Sequence, residues 1–288
     1  MTMSPDIVAI DVHTHVQRSV RADSALTNEK SEAMAAYFGS DATRPSLPEL
    51  ADAYRARRMM CVVFSVDDGW LTGEENPVGN DEVVELAAEH ADAVIPFVTV
   101  DPHSGRRGAN EIRRLAAKGA RGVKFHPSAQ AFYPNDRDLY PIYEAMAESG
   151  LIGLFHSGQT GAGAGTRGGG GIRLKFAQPI HLDDVAVDFP DMPIILAHPS
   201  FPWQDEALSV ALHKPNVFID LSGWSPKYFP PNLVQYARTL LKHKVLFGTD
   251  FPVITPERWL RDFEALGFPD DVVRLILRDN AAKLLGLA

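Results

Sequence analysis

The sequence predicts an α/β protein, a (β/α)8 TIM barrel in one domain, and three observations predict it. Eight short apolar runs recur along 288 residues, separated by segments of helical period. These units fill the chain, so residues 1–288 are expected to form one barrel. The chemically competent polar residues sit at the C-terminal ends of the runs, the rim where barrel enzymes build their sites. A doubly wound open sheet is the alternative arrangement of the same units, and a count of eight favours the barrel.

The elements follow in order. Strands are expected near 7–13, 59–66, 94–100, 121–126, 151–156, 193–198, 216–222 and 244–249. Runs such as Leu151-Ile152-Gly153-Leu154-Phe155 and Ile194-Ile195-Leu196 are continuous rather than alternating, as in parallel strands covered on both faces. Helical patterns lie near 46–58, 80–91, 105–118, 137–149, 180–189, 203–213, 231–242 and 256–266, with start signals at Pro48 and at Asn80-Asp81. A closing helix is expected over Asp270–Leu287, with a break near Asp279-Asn280. Two insertions interrupt the rhythm. Residues 16–45 follow the first strand and carry a helical piece around Glu29 to Phe38. Residues 157–179 follow the fifth and contain the run from Gly161 to Gly171. That run has too much backbone entropy to lose for a stable helix or strand, and reads as a lid or as a solvated loop.

Composition narrows the function. Hydrophobic content of 45% with 23% charged residues suits a soluble globular protein. A net charge of −9 argues against a nucleic-acid binder, whose footprint is basic. The first residues lack the pattern of a secretory signal, and no apolar stretch is long enough to span a bilayer. Cys61 is the single cysteine, which excludes an intrachain disulfide and fits the cytoplasm. It reads as a buried strand residue. The expected partner is a small-molecule substrate, with no nucleic acid and no membrane.

His13-Thr14-His15 closes the first apolar run. Residues i and i+2 of a strand share a face, so two imidazoles are aimed together, as a metal ion requires of two ligands. Lys124 and His126 end the fourth run, His156 the fifth, His198 the sixth and Asp250 the eighth. Imidazoles with one carboxylate suit Zn²⁺, with Mn²⁺, Fe²⁺, Ni²⁺ or Co²⁺ as other candidates. Such a site keeps an open position for a water whose pKa the metal lowers.

Five segments carry a family resemblance: Ile10-Asp11-Val12-His13-Thr14-His15, Gly122-Val123-Lys124-Phe125-His126-Pro127, Phe155-His156-Ser157-Gly158, Ile195-Leu196-Ala197-His198-Pro199 and Phe247-Gly248-Thr249-Asp250-Phe251-Pro252. In their order the chain resembles the amidohydrolase superfamily, and within it the amidohydrolase-2 group of metal-dependent hydrolases, decarboxylases and hydratases. The resemblance implies that His13, His15, His156 and Asp250 are metal ligands. It also implies that His198 binds or polarises the reacting group, that Asp250 moves the proton of the attacking water, and that the chain is a homo-oligomer, a dimer or a tetramer. It implies a hydrolase acting on a carbonyl-type bond, or alternatively a non-oxidative decarboxylase of an aromatic or unsaturated acid. A non-catalytic barrel holding a metal for structure is the reading from another class, disfavoured because structural zinc sites are closed and frequently use cysteine.

Other residues are candidates for the substrate wall. Lys124 either binds a substrate carboxylate or carbonyl or pairs with Asp250, and His126 is a pocket residue. Arg167 and Arg173 flank the glycine run and are candidate clamps for an acid. Trp224 and Trp70 follow the seventh and second strands and are candidate aromatic walls.

Overall fold

Eight parallel strands lie in the order of the chain in a computed structural model, which describes residues 3–22, 44–66 and 76–287, with Gly69 and Gly73. They are β1 (Ala9–His15), β2 (Met59–Phe64), β3 (Val94–Thr99), β4 (Gly122–Phe125), β5 (Ile152–His156), β6 (Ile194–Ala197), β7 (Val217–Asp220) and β8 (Val245–Leu246). The segment after β8 completes the ring onto β1: Val12 N donates to Phe247 O (3.0 Å), Asp250 N to His13 O (3.0 Å) and His15 N to Phe251 O (2.8 Å). The fold is the expected single (β/α)8 barrel rather than an open sheet.

Helices α1 (Leu47–Ala56), α2 (Asn80–Glu89), α3 (Arg106–Ala117), α4 (Pro127–Gln130), α5 (Tyr140–Glu148), α6 (His181–Asp188), α7 (Gln204–His213), α8 (Pro231–Arg238) and α9 (Pro256–Glu264) alternate with the strands. Helix α1 begins where Ser46 and Glu49 form a capping box and Pro48 occupies the first turn. One apolar layer lies between strands and helices, where Leu50, Tyr54, Ile112, Tyr143, Phe155 and Trp259 are buried. A second fills the barrel interior with Ile10, Met60, Phe97, Leu154 and Ile195. Ala281, Ala282, Leu285 and Leu287 join that interior cluster, so the C-terminal segment closes the barrel.

Several expectations need adjustment. The last strand is only two residues long, against the expected 244–249, because Phe247 N turns to Ile276 O and Thr249 N to the Asp11 carboxylate. The C-terminal helix is three pieces: α10 (Asp270–Arg274), a π turn over Leu275–Asp279 and α11 (Asn280–Leu284), with the change at the expected Asp279-Asn280. Helix α8 ends at Arg238 rather than at 242, since Thr239 leaves helical geometry. In the glycine run, Gly168, Gly169 and Gly170 all adopt positive φ near 62–63°, which neither an α-helix nor a strand permits. The helical piece expected around Glu29 to Phe38, and Trp70, lie outside the described residues. Among the described residues no helix is long and apolar enough to cross a membrane.

Candidate active site

A cavity of about 460 Å³ opens at the C-terminal ends of the strands. Its walls include His13, His15, Lys124, His126, His156, His198 and Asp250, drawn from four strand ends and the segment after β8. The strands converge there because each apolar run stops where its backbone leaves the sheet, so the next side chains face the axis.

The innermost group is His13, His198 and Asp250, whose potential ligand atoms all lie within 4.8 Å of one another. Asp250 has φ +67°, an uncommon left-handed conformation for a non-glycine residue that recurs at functional sites. Its Oδ1 is 2.7 Å from His15 Nε2 and 3.3 Å from His13 Nε2. The His13 and His15 rings lie side by side with centroids 5.2 Å apart, as their i, i+2 spacing predicts.

A hydrogen-bonded chain fixes the protons behind this group. Asp220, at the end of β7, accepts at Oδ2 from His13 Nδ1 (2.6 Å) and from the Ser222 hydroxyl (2.6 Å). The Ser222 oxygen in turn lies 2.7 Å from His198 Nδ1. Its one proton is committed to Asp220, so His198 Nδ1 donates to it, and the Nε2 atoms of His13 and His198 carry lone pairs. Lys124 Nζ donates to His13 Nε2 (3.3 Å), consistent with that assignment. Gly223 adjoins this chain at φ +74°, and an added Cβ would meet His198 Nδ1 at 2.7 Å. Only glycine suits both the conformation and the approach.

Electrostatics keep these imidazoles neutral. Burial, reinforced by the Lys124 charge, pushes His13 well below the ordinary histidine value. Burial lowers His198 and His126 to about 3, and burial with the neighbouring His126 lowers His156 well below its usual range. Burial also raises Asp220 to about 6 and lowers Lys124 to about 8. At Asp250 burial pulls upward, yet the His15 hydrogen bond and the neighbouring His198 and His13 hold the carboxyl well below its usual range.

The donor set fits a divalent cation. Neutral imidazoles beside an ionised carboxylate are the ligands such an ion takes. His156 Nε2 is buried without a hydrogen-bond partner, and its ring is 5.0 Å from that of His198. An orphaned buried nitrogen costs about 1–3 kcal/mol, which a bound ion relieves.

The sequence profile of the amidohydrolase family matches residues 10–287. The chain belongs to the amidohydrolase-2 family. No curated protein sequence matches it. Among solved structures, an uncharacterized TIM-barrel protein from Bordetella bronchiseptica is 21% identical with a TM-score of 0.78, over 97% of this chain and 98% of that one. A probable 2-pyrone-4,6-dicarboxylic acid hydrolase from Acinetobacter baumannii, with citric acid bound, is 16% identical with a TM-score of 0.59, over 97% and 99%. A 5-carboxyvanillate decarboxylase from Novosphingobium aromaticivorans, complexed with manganese and a nitrobenzoic acid, is 16% identical with a TM-score of 0.63, over 99% and 98%. These three likenesses show the shared fold; one of the proteins is named a probable hydrolase and another a decarboxylase.

Around the cavity the expected wall residues separate into two sets. Lys124, His126 and Trp224 line the cavity, and the His126 ring stacks on His156 at 4.0 Å. Lys124 meets His13 rather than forming the direct pair with Asp250 that was one of its two readings; Asp250 acts on it through space. Arg167 and Arg173 are exposed and do not line the cavity; Gly161, Ala162 and Ile172 of the same loop do. The positive-φ glycines after Arg167 turn the chain, so flanking the run in sequence does not place either guanidinium at the site.

Sequence reasoning missed Asp220, Ser222, Asp11 and Arg258. Asp11 is fully buried on β1 and accepts four bonds, from Tyr54 Oη (2.6 Å), Thr249 Oγ1 (2.6 Å), Thr249 N (3.0 Å) and His13 N (3.1 Å). It joins β1 to the segment carrying Asp250 and so sets the distance between His13 and Asp250. Burial raises Asp11 to about 7 despite these donors. A signal was present: an acid inside an apolar strand must find partners.

Proposed function

We propose that this family member is a metal-dependent hydrolase, activating a water for attack on a carbonyl-type bond of a small acidic organic molecule. Candidate bonds are an ester or lactone, an amide, or the carbon–carbon bond of a β-keto compound. The observation that carries the reading is the pair of Nε2 lone pairs, on His13 and His198, that face an ionised Asp250 across the cavity.

His13, His15, His156 and Asp250 would hold the ion, beside the Nε2 of His198; Zn²⁺ suits these donors, as do Mn²⁺, Fe²⁺, Ni²⁺ and Co²⁺. When bound, the ion supplies Lewis acidity that brings a water's pKa towards neutrality. Asp250, kept ionised by its surroundings, accepts the proton of the attacking water and returns it to the leaving group. His198 receives a hydrogen bond from that water at Nε2 and orients it. Donation to an oxyanion would require a proton that the Ser222 and Asp220 chain places on Nδ1 instead. The Lys124 ammonium holds a carbonyl or carboxylate oxygen of the substrate against the same group. His126 and Trp224 shape the wall.

A second reading, non-oxidative decarboxylation of an aromatic or unsaturated acid, has the manganese-bearing decarboxylase of the same fold in its favour. There Asp250 would protonate the carbon that loses carbon dioxide, and must first take up a proton against the pull of His15.

The test combines elemental mass spectrometry of wild type and of the His13→Ala/His15→Ala protein with a screen of lactones, β-keto compounds and aromatic acids in ¹⁸O-labelled water. About one metal per chain, lost with activity in the double variant, and one ¹⁸O in the product are expected. Carbon dioxide release without ¹⁸O would replace hydrolysis by decarboxylation. A metal-free active protein would remove the mechanism.

A further inference from the structure

Helix α9 starts at Pro256 and carries Arg258 in its first turn, where the Thr255 hydroxyl caps Arg258 N (3.4 Å). Ile254 and Arg258 both line the site cavity. The acids nearest Arg258 in the chain are engaged elsewhere. Glu257 binds Arg57 (2.6 Å), while Asp262 accepts from the Ser225 hydroxyl and lies beside Arg261. The Arg258 guanidinium, half-buried, forms no ion pair or hydrogen bond with a described residue.

The charge inventory of the cavity gives that vacancy a meaning. Among its described lining residues Asp250 is the sole carboxylate, and it is already held by His15. Two cations line the same cavity, the buried Lys124 and the half-buried Arg258. Lys124 is 2% exposed and Arg258 only half-buried, so the cations stand at different depths of one pocket. A guanidinium presents a planar fork matched to a carboxylate.

We propose that Arg258 is a specificity-determining residue that receives a second carboxylate of the substrate. The substrate class is then a small dicarboxylate. One end lies at Lys124 and the His13, His198 and Asp250 group, and the other sits on Arg258. This deepens the proposed function and rests on its acidic substrate.

The test is calorimetric titration of the full-length, metal-loaded protein with benzene-1,3-dicarboxylate and with benzoate, probes that differ by one carboxylate. Wild type should prefer the dicarboxylate by about tenfold, the scale of one well-placed charged contact. Arg258→Gln should lose that preference while binding benzoate as before, and Arg258→Lys should recover part of it. An equal preference in wild type and Arg258→Gln, or none in wild type, would overturn the assignment. Metal content of the same samples separates the two ideas. A metal-free protein whose preference still depends on Arg258 sinks the hydrolase reading and upholds this one. A metal-loaded, active enzyme indifferent to Arg258→Gln does the reverse.

Discussion

Replacing Gly223 by alanine tests whether the backbone around His198 is part of the site. At φ +74° an alanine pays about 1–2 kcal/mol for the left-handed conformation alone. Its Cβ would lie 2.7 Å from His198 Nδ1, 2.8 Å from Cγ and 2.9 Å from Cε1. Ordinary contact begins at 3.4 Å, so the imidazole must retreat by about 0.7 Å. It has little freedom to do so, because Nδ1 is bonded to Ser222 at 2.7 Å and the ring packs between His13 and His156. Overpacking of this kind adds about 1–3 kcal/mol. Gly267 provides the control: its φ is +63° and an added Cβ meets nothing within 4 Å, so Gly267→Ala pays only the backbone cost. Urea unfolding should therefore separate the two variants by about 1–3 kcal/mol, with Gly223→Ala the weaker. Metal affinity, measured by competition with a chromogenic chelator, should fall about tenfold or more in Gly223→Ala and stay unchanged in Gly267→Ala. Equal destabilisation of the two, with metal affinities within about threefold, would refute the claim that Gly223 holds His198 in place.

Three further outcomes are expected. Tyr54→Phe deprives the buried Asp11 carboxyl of its 2.6 Å donor and should cost about 1–3 kcal/mol in chemical denaturation, despite lying outside the cavity. Chelator dialysis should lower the melting temperature, since an ion that binds only the folded state stabilises it, and excess Zn²⁺ or Mn²⁺ should restore it. Lys244, lowered by burial to about 8, donates to Ala211 O (2.6 Å) and to Lys214 O. Between that value and its ordinary 10.5 the unfolded chain holds more protons than the folded one. This residue's contribution therefore rises with pH, and the stability difference between wild type and Lys244→Met should shift in favour of wild type from pH ~7.5 to ~10.

What the sequence by itself determined is what local pattern encodes. Continuous apolar runs make parallel buried strands whatever lies around them, so seven of the eight strands are found within about two residues of their expected places at either end. The eighth is cut short by contacts with Ile276 and Asp11, both remote in the chain. His13, Lys124, His198 and Asp250 were legible as candidates for the same reason, being polar residues that stop such runs at one end. Tertiary structure alone decided their chemistry. The proton on His13 is placed by Asp220, 207 residues away, and the ties from Thr249 to Asp11 span 238. No local period registers partners at that distance. It also decided which arginine faces the cavity. Arg167 and Arg173 flank a conspicuous glycine run and turn outward, whereas Arg258 stands in an ordinary helix whose first turn the closed barrel aims at the axis. A side chain's type is written in the chain, but the field and the neighbours that give it a role arise only when eight strand ends meet.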